Sequence, residues 1–563
     1  MKKNHYSFRY RFSLNFGLLA GCFLLVTGTV LGQTEKKGEG VFPLKRPALV
    51  VGLVIDQMRY DYLYRYAKGY SDNGFKRLLN EGFSCENAHF DYVPTYTAPG
   101  HACVYTGATP SVNGIISNDW YDRKTRKSVY CVNDTTVDPV GTTSISGKMS
   151  PRRLLSTTIT DELRFATNYR SKVIAIALKD RGAILPGGHS ANAAYWHDPY
   201  LDHWVTSTYY STELPSWVRQ FNERKLPDSL TSRPWNLLLD ISEYSGSTAD
   251  DSRYEGTYKG EEKPVFPHDL PKLKATDGEL IRRTPMGNTY TLEFAKAAVA
   301  AEELGKHEDT DFLAVSLSSP DYVGHQFGIN ALETEDTYLR LDRELAAFID
   351  YLDKQVGRSN YMLFLTADHG ACANPEFNAD HHIPGGTMDE QPMRDSIAVM
   401  LERQFGDNTI LLQADATGIF LDHEVMQRKK LDASKVEEAC AKTVIRFKGV
   451  AGAWTASDLS RSVTREGIAR LVQRGYNPQR SADICIQLQP GWIDWFRKTG
   501  TSHGSSYAYD THVPVVFFGG GIRHGETHQP ISICDIAPTL AGLLRIQEPS
   551  GCVGKPIGPV LKD

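Results

Sequence analysis

Several aspartates and histidines in this chain stand where a metal ion could use them. Asp321-Tyr-Val-Gly-His325 sets a carboxylate and an imidazole four residues apart, so one helical turn brings both to one face. Asp368-His369-Gly370 places the same two residue types side by side after an apolar run, and Asp56 closes another such run. A third histidine is offered by Ser502-His503-Gly504 or by Asp510-Thr-His512. Three carboxylates and three histidines suffice for two zinc ions, each with three protein ligands and one open position. Two neighbouring metals can stabilise the entering and leaving oxygens of an in-line phosphoryl displacement. Thr97, in Tyr96-Thr97-Ala-Pro-Gly-His101, offers a hydroxyl nucleophile. It precedes small residues that can start a helix from His101, and a helix N-terminus favours an alkoxide and binds phosphate-like anions. Lys179 and Arg181 would hold non-bridging oxygens, the guanidinium by a two-pronged fork and the ammonium as a point charge. Each residue alone has a plainer reading. A Thr beside a Pro-Gly turn is more often an N-cap, and a Lys-x-Arg on a loop is more often a solvated pair. The force lies in the set.

These residues share a position relative to the elements around them. Ala48–Ile55 is a continuous apolar run suited to a strand buried on both faces of a parallel sheet, and similar runs recur at Lys172–Leu178, Asp311–Leu317, Tyr361–Thr366 and Pro514–Phe518. Helical patterns lie between them. One spans Tyr290–Leu304; another is capped by Thr334 and carries the stripe Leu341, Leu345, Phe348, Ile349 and Leu352. The alternation predicts an α/β fold, a mostly parallel central sheet with helices on both faces. Asp56, Lys179, Arg181, Asp321, His325, Asp368 and His369 all follow the C-terminal ends of these runs, which is the edge where open α/β sheets bind ligands. Residues 185–285, rich in Trp, Tyr, Pro, Asp and Ser, and residues 375–500, with a charged helical section, interrupt the alternation and read as insertions or caps on one domain running from 47 to 563.

Length and charge narrow the class. The chain has 563 residues, ordinary globular composition and a formal charge of −5. Residues 1–32 contain four basic side chains, Lys2, Lys3, Arg9 and Arg11, and no acidic one, so a chain cut there would carry −9. That balance argues against a dedicated nucleic-acid binder. The same residues read as an export signal, with an apolar run from Phe16 to Leu31 and cleavage before Gln33. Leu19-Ala-Gly-Cys22 offers the alternative of a lipoprotein anchor, although the apolar run continues past Cys22 where a lipoprotein turns polar. Residues 33–46 read as a linker, and no later stretch is long and apolar enough to span a bilayer. Eight cysteines remain beyond the signal, scattered and without a CxxC, so no thiolate zinc site is expected and the spacing sets no pairing.

Taken in order, Val54-Ile-Asp56-Gln-Met, Thr95-Tyr-Thr97-Ala-Pro-Gly-His-Ala, Asn118-Asp-Trp-Tyr, Lys179-Asp-Arg181, Ser319-Pro-Asp321-Tyr-Val-Gly-His325, Thr366-Ala-Asp368-His369-Gly370 and Ser502-His503-Gly504 resemble the alkaline phosphatase superfamily. Within it the chain resembles the phosphate-irrepressible periplasmic alkaline phosphatases of the PafA type, which use a threonine nucleophile and are relatives of the type I phosphodiesterase/nucleotide pyrophosphatases. The resemblance runs from about residue 47 to the C-terminus, where Asp535-Ile-Ala-Pro-Thr-Leu also fits. It implies two zinc ions, one bound by Asp321, His325 and His503 and the other by Asp56, Asp368 and His369. Asn118, Lys179 and Arg181 would contact the phosphoryl oxygens. It prefers His503 to His512, because Ser-His-Gly is the form of the family's ligand motif. It also implies a two-step hydrolysis of phosphate monoesters through a phosphothreonine on Thr97, in an exported, periplasmic enzyme.

Three neighbouring functions compete. A monoester dianion has more charge to neutralise than a diester, and the Lys179/Arg181 pair suits it; in the family the same pair marks the monoesterase branch. A phosphodiesterase or nucleotide pyrophosphatase on the same core is the alternative. Phosphonoacetate hydrolases have a similar core with two lysines, so Arg181 counts against them, and sulfatases need a convertible Cys or Ser that Thr97-Ala-Pro-Gly does not supply. A non-catalytic exported binding protein would not need the full set of nucleophile, ligands and oxyanion contacts.

Overall fold

The computed structural model describes residues 46–461, 463–494 and 498–561. The expected signal, its cleavage site, Cys22 and nearly all of the linker lie outside them. Five apolar runs form the middle of a ten-stranded sheet: β1 (Leu49–Ile55), β2 (Val173–Ala177), β3 (Asp311–Leu317), β4 (Tyr361–Thr366) and β5 (Val515–Gly519). β1 lies between β3 and β4 and runs parallel to both, and β3 is parallel to β2. Every residue of β1, β3 and β4 is buried, as strands covered on both faces require.

The register explains why polar residues gather at one edge. Ile55 pairs with Leu317 and Val54 with Thr366, so β1, β3 and β4 stop at nearly the same level. Asp56, the Ser319 turn and Asp368 therefore emerge side by side. β5 runs the other way: Val515, its first residue, pairs with Thr366, the last of β4. That reversal carries the residues preceding β5, His503 among them, to the same edge.

The helices that bear on the site are α1 (Thr97–Thr106), α2 (Asp180–Gly187), α3 (Met286–Ala301), α4 (Ser319–Phe327) and α5 (Leu332–Leu352), with others before, between and after them. Three expectations shift. α1 starts at Thr97 rather than His101. α3 begins four residues before Tyr290, because Pro285 precedes its first turn without interrupting it. α5 begins before Thr334, which is not its cap; Ala331 holds that position, and the Thr334 hydroxyl donates to the Gly328 carbonyl 2.7 Å away. The stripe Leu341, Leu345, Phe348, Ile349 and Leu352 is buried.

Residues 185–285 open with two strands, Ala193–Asp198 and His203–Ser207, that extend the central sheet beyond β2. Their aromatic and polar residues hid them from an apolar-run search. The irregular remainder packs Trp235, Tyr258, Leu270 and Leu273 against Val323 and Phe327 of α4, bracing the helix that bears Asp321 and His325. Residues 375–500 build a separate four-stranded sheet, Leu411–Asp415, Gly418–Leu421, Ile484–Leu488 and Val450–Thr455, over buried residues including Met393, Ile397, Leu401 and Val436.

Beside α4 lies a buried charge cluster with a pH consequence. His268 is fully buried, its Nδ1 2.9 Å from Glu261 Oε1 and its Nε2 3.2 Å from Glu333 Oε1. Burial lowers its pKa, but the two carboxylates outweigh burial and push it up to about 9. The charged imidazole thus stabilises the fold fully below its ordinary value of 6.5, and that contribution disappears as pH rises through about 9. Glu255, pushed up to about 9 by burial and by Glu333, gives the same sign. The melting-temperature gap between wild type and His268→Gln is therefore expected to be widest at neutral to acidic pH and to close above about pH 9. A constant gap across that range would mean that His268 acts by shape alone.

Candidate active site

Thr97 is the first residue of α1, with its side chain 1% exposed. Tyr96 is extended and provides no side-chain cap, so the N–H groups of the first turn and the positive end of the helix surround the Thr97 hydroxyl. Ala98 N–H donates to Asn118 Oδ1 at 2.9 Å, which ties Asn118 to the same turn. Gly100 is where α1 crosses the β4 loop: a Cβ there would collide with the Asp368 backbone carbonyl. Only glycine lets the nucleophile helix and the Asp368 loop approach so closely.

The three histidines at this edge share one arrangement. His325 Nδ1 lies 2.8 Å from the Thr501 carbonyl, His369 Nδ1 2.9 Å from the Gly370 carbonyl and His503 Nδ1 2.8 Å from the Thr95 carbonyl. A carbonyl only accepts, so each Nδ1 carries a proton, and in the neutral ring Nε2 is the atom left to bind a metal. His325 Nε2 is 3.2 Å and His503 Nε2 3.7 Å from Asp321 Oδ1. His369 Nε2 is 3.6 Å from Asp56 Oδ1, 3.6 Å from Asp368 Oδ2 and 3.4 Å from Thr97 Oγ1. The His369 and His503 rings stack at 3.5 Å. Burial lowers the pKa of both, and His503 falls furthest because His369 and His325 add to burial. Neutral imidazoles with backbone-held Nδ1–H groups are the form that binds metal.

The carboxylates complete two overlapping groups, Asp321 with His325 and His503, and Asp56 with Asp321 and His369; within each the ligand atoms lie within 4.8 Å of one another. Asp321 is common to both, while Asp368 adjoins the second. The fit to cations is visible in the carboxylates themselves. Asp56 is fully buried; no hydrogen-bond donor reaches its Oδ1, and its Oδ2 is paired with the Lys179 ammonium 2.7 Å away. Burial and then Asp368 push it well above the ordinary carboxylate range, against the opposing pull of Lys179. Burial also raises Asp321 and Asp368, but His325 and Lys179 outweigh it for the first, and His369 and His101 for the second, and both end below their ordinary range. This clustering of buried negative charge with three imidazole lone pairs suits two divalent cations.

Lys179 is drawn into this cluster. Its Nζ lies 2.7 Å from Asp56 Oδ2 and 2.5 Å from Asp321 Oδ2, and those carboxylates raise its pKa despite burial. Here it pairs with the carboxylates of both groups. Arg181 donates through a terminal nitrogen to Tyr130 Oη at 3.0 Å, and its buried Nε has no partner. His512 stays out of the cluster. It stacks on Tyr60 and His89, with ring centroids 4.0 and 4.5 Å away, and its Nε2 donates to the Glu86 carbonyl.

Two residues within the recognisable motifs escaped assignment from sequence. Gln57, at a left-handed φ of 65°, donates its backbone N–H to Asp368 Oδ1 at 3.1 Å and its Nε2 to Asp321 Oδ1 at 2.7 Å. His101 donates from Nδ1 to the Thr97 carbonyl at 2.9 Å, accepts from Ser316 Oγ at 2.8 Å and lies 3.3 Å from Asp368 Oδ2. Both position ligands. Their adjacency to Asp56 and Thr97 was the only signal for them.

A cavity of about 460 Å³ opens beside His503 and Asn118, between this edge and the sheet built by residues 375–500. Among the described residues no helix is long and apolar enough to cross a membrane.

Known proteins resemble the chain over nearly its whole length. Residues 50–507 match the family model for type I phosphodiesterase / nucleotide pyrophosphatase. A Myroides odoratus protein named calcium-transporting ATPase is 49% identical over 518 residues, 91% of this chain and 94% of the relative. Alkaline phosphatase PafA of Elizabethkingia meningoseptica is 47% identical over 540 residues, 96% of this chain and 98% of the relative. The crystal structure of wild-type alkaline phosphatase PafA superposes with a TM-score of 0.89 at 46% identity, covering 92% of this chain and all of that one.

Proposed function

The chain belongs to the type I phosphodiesterase / nucleotide pyrophosphatase family of the alkaline phosphatase superfamily, and from that premise we propose an exported, periplasmic di-zinc alkaline phosphatase that hydrolyses small phosphate monoesters. The observation that carries the reading is the Thr97 hydroxyl at the first turn of α1, 3.4 Å from His369, a member of one of two overlapping groups of carboxylates and imidazoles. Asp321, His325 and His503 would hold one zinc ion and Asp56, Asp368 and His369 the other. When bound, the metals supply Lewis-acid neutralisation of the entering and leaving oxygens.

The chain's own residues do the rest. Thr97 Oγ1 attacks phosphorus and an O–P bond forms as the bond to the alcohol breaks. The Thr97 proton passes to solvent, and the departing alkoxide gains one. A water then attacks the phosphothreonine from the opposite side, restoring the hydroxyl and releasing phosphate. Asn118 and Arg181 orient and neutralise the non-bridging oxygens, and the helix N-terminus favours the anion throughout. Lys179, with Nζ 2.7 Å from Asp56 Oδ2 and 2.5 Å from Asp321 Oδ2, would add a further positive charge for the phosphoryl oxygens.

A second reading, a phosphodiesterase on the same core, is favoured by the family model that the chain matches. The kcat/KM of the zinc-loaded enzyme for an aryl phosphate monoester against the matching diester separates them. Strong monoester preference is expected; diester preference would move the chain to the second reading, and turnover of neither would refute both. Chelation is expected to abolish turnover and to lower the melting temperature, with both restored by about two equivalents of zinc per chain. An unchanged melting temperature on chelation would count against the metal assignment.

A further inference from the structure

The cavity beside His503 and Asn118 has a composition that the phosphoryl chemistry does not explain. Its wall includes Tyr96, Trp120, Tyr121 and Tyr476, and the carboxylates of Asp119, Asp415, Asp494 and Asp510. No lysine or arginine lines it among the described residues. Arg480 and Arg123 stack on Trp120 and Phe420, at 5.2 and 5.0 Å from the ring centroids, yet neither reaches the cavity wall. A site for phosphate oxygens would be basic. This one is acidic and aromatic.

The acidic wall adjoins Tyr96, Asn118 and His503, through which the cavity meets the candidate active site. Tyr96 immediately precedes Thr97, and its ring centroid is 5.5 Å from that of His503. Asp415, Asp494 and Asp510 line the same cavity as this ring. Asp510 is 1% exposed; its Oδ2 accepts from the Gly504 and Ser505 N–H groups at 3.1 and 2.7 Å, while its Oδ1, on the same buried carboxylate, has no partner. Burial and neighbouring carboxylates push Asp494 up to about 6, and burial pushes Asp510 up to about 7, so both carry charge under alkaline conditions. An unpaired buried carboxylate oxygen is costly unless a donor or cation meets it. Aromatic faces with nearby carboxylates form the environment that attracts ammonium groups.

Resting on the phosphatase reading, we propose that this cavity is the leaving-group site and that it selects phosphate monoesters of amino alcohols, whose ammonium group sits among Tyr96, Tyr121, Asp494 and Asp510 while the phosphoryl group reaches Thr97. Its volume of about 460 Å³ is ample for an aminoalkyl chain or a trimethylammonium group. Esters with a second anionic group are disfavoured by the same carboxylates.

The test compares phosphocholine with its uncharged carbon isostere, 3,3-dimethylbutyl phosphate, on the zinc-loaded full chain, with 4-nitrophenyl phosphate as the reference. The expected result is a kcat/KM at least about tenfold higher for phosphocholine, and competitive inhibition by free choline that dimethylbutanol does not match. Asp494→Asn should cut that preference for phosphocholine over its isostere to about twofold. Tyr121→Leu, at another lining residue of the cavity, should lower the preference independently and covers the case in which Asp494→Asn does not fold. Equal rates for the two isosteres, or a preference untouched by either folded variant, would overturn the proposal while 4-nitrophenyl phosphate turnover left the phosphatase reading standing. Absence of turnover on all three substrates would overturn that reading, and this proposal with it.

Discussion

Thr97→Ala is expected to lower kcat for a phosphate monoester by about four orders of magnitude, the loss that follows when a covalent nucleophile is removed from an otherwise intact site. The variant should fold and bind zinc as wild type does, because the Thr97 hydroxyl caps nothing: the turn is held instead by Asn118 Oδ1 on Ala98 N–H and by His101 on the Thr97 carbonyl. Thr97→Ser keeps a hydroxyl at the first position of α1 and should stay within about tenfold of wild type. Rapid acid quench followed by mass spectrometry should find a phosphoryl group on Thr97 in wild type and none in the alanine variant. Thr97→Ala turning over at near wild-type rate would remove the threonine from the reaction and leave attack by water as the alternative.

The second large effect concerns charge. Arg181→Ala should lower kcat/KM for a monoester by about a thousandfold and for the matching diester by no more than about tenfold, since a dianion has more oxygen charge to lose. Arg181 is the cleaner member of its pair, because it touches Tyr130 and none of the candidate metal ligands. Arg181→Lys should recover only part of the loss, as a point charge replaces a planar fork. Lys179→Met should act differently. Lys179 lies within 2.7 Å of both Asp56 and Asp321, so its loss should lower the melting temperature of the metal-free protein more than that of the zinc-loaded one. Equal losses on monoester and diester in Arg181→Ala would mean that the arginine holds the pocket's shape and does not discriminate charge.

The sheet was readable in the sequence wherever burial on both faces forces an unbroken apolar run. β3 and β4 carry the expected bounds, and β1, β2 and β5 differ from theirs by a residue or two. The strands Ala193–Asp198 and His203–Ser207 were not readable, because Tyr195, Trp196, His197 and Trp204 fill a wall where aromatic rings replace aliphatic ones. Residue types and their positions after the runs sufficed to collect Asp56, Asp321, His325, Asp368 and His369, whereas they left His503 and His512 open. No spacing rule could foretell that Lys179 would reach Asp321, 142 residues away, or that Asp321 would serve both groups. Nor could it reveal that all three histidines are oriented by backbone carbonyls, since a carbonyl leaves no trace in residue type. The preference for His503 over His512 came from its Ser-His-Gly form alone, since both histidines precede β5 and its direction does not separate them.

The hydrogen bond from His503 Nδ1 to the Thr95 carbonyl joins residues 408 positions apart. A ribosome working from the N-terminus makes the nucleophile turn early and its imidazole partner only when most of the chain has been synthesised. A polypeptide released before residue 503 carries Thr97 and the group of Asp56, Asp321 and His369 but lacks the His503 member of the other group. If the proposed two-metal reading holds, such a fragment is expected to bind fewer metal equivalents than the finished chain, so that full metal loading would report completed synthesis.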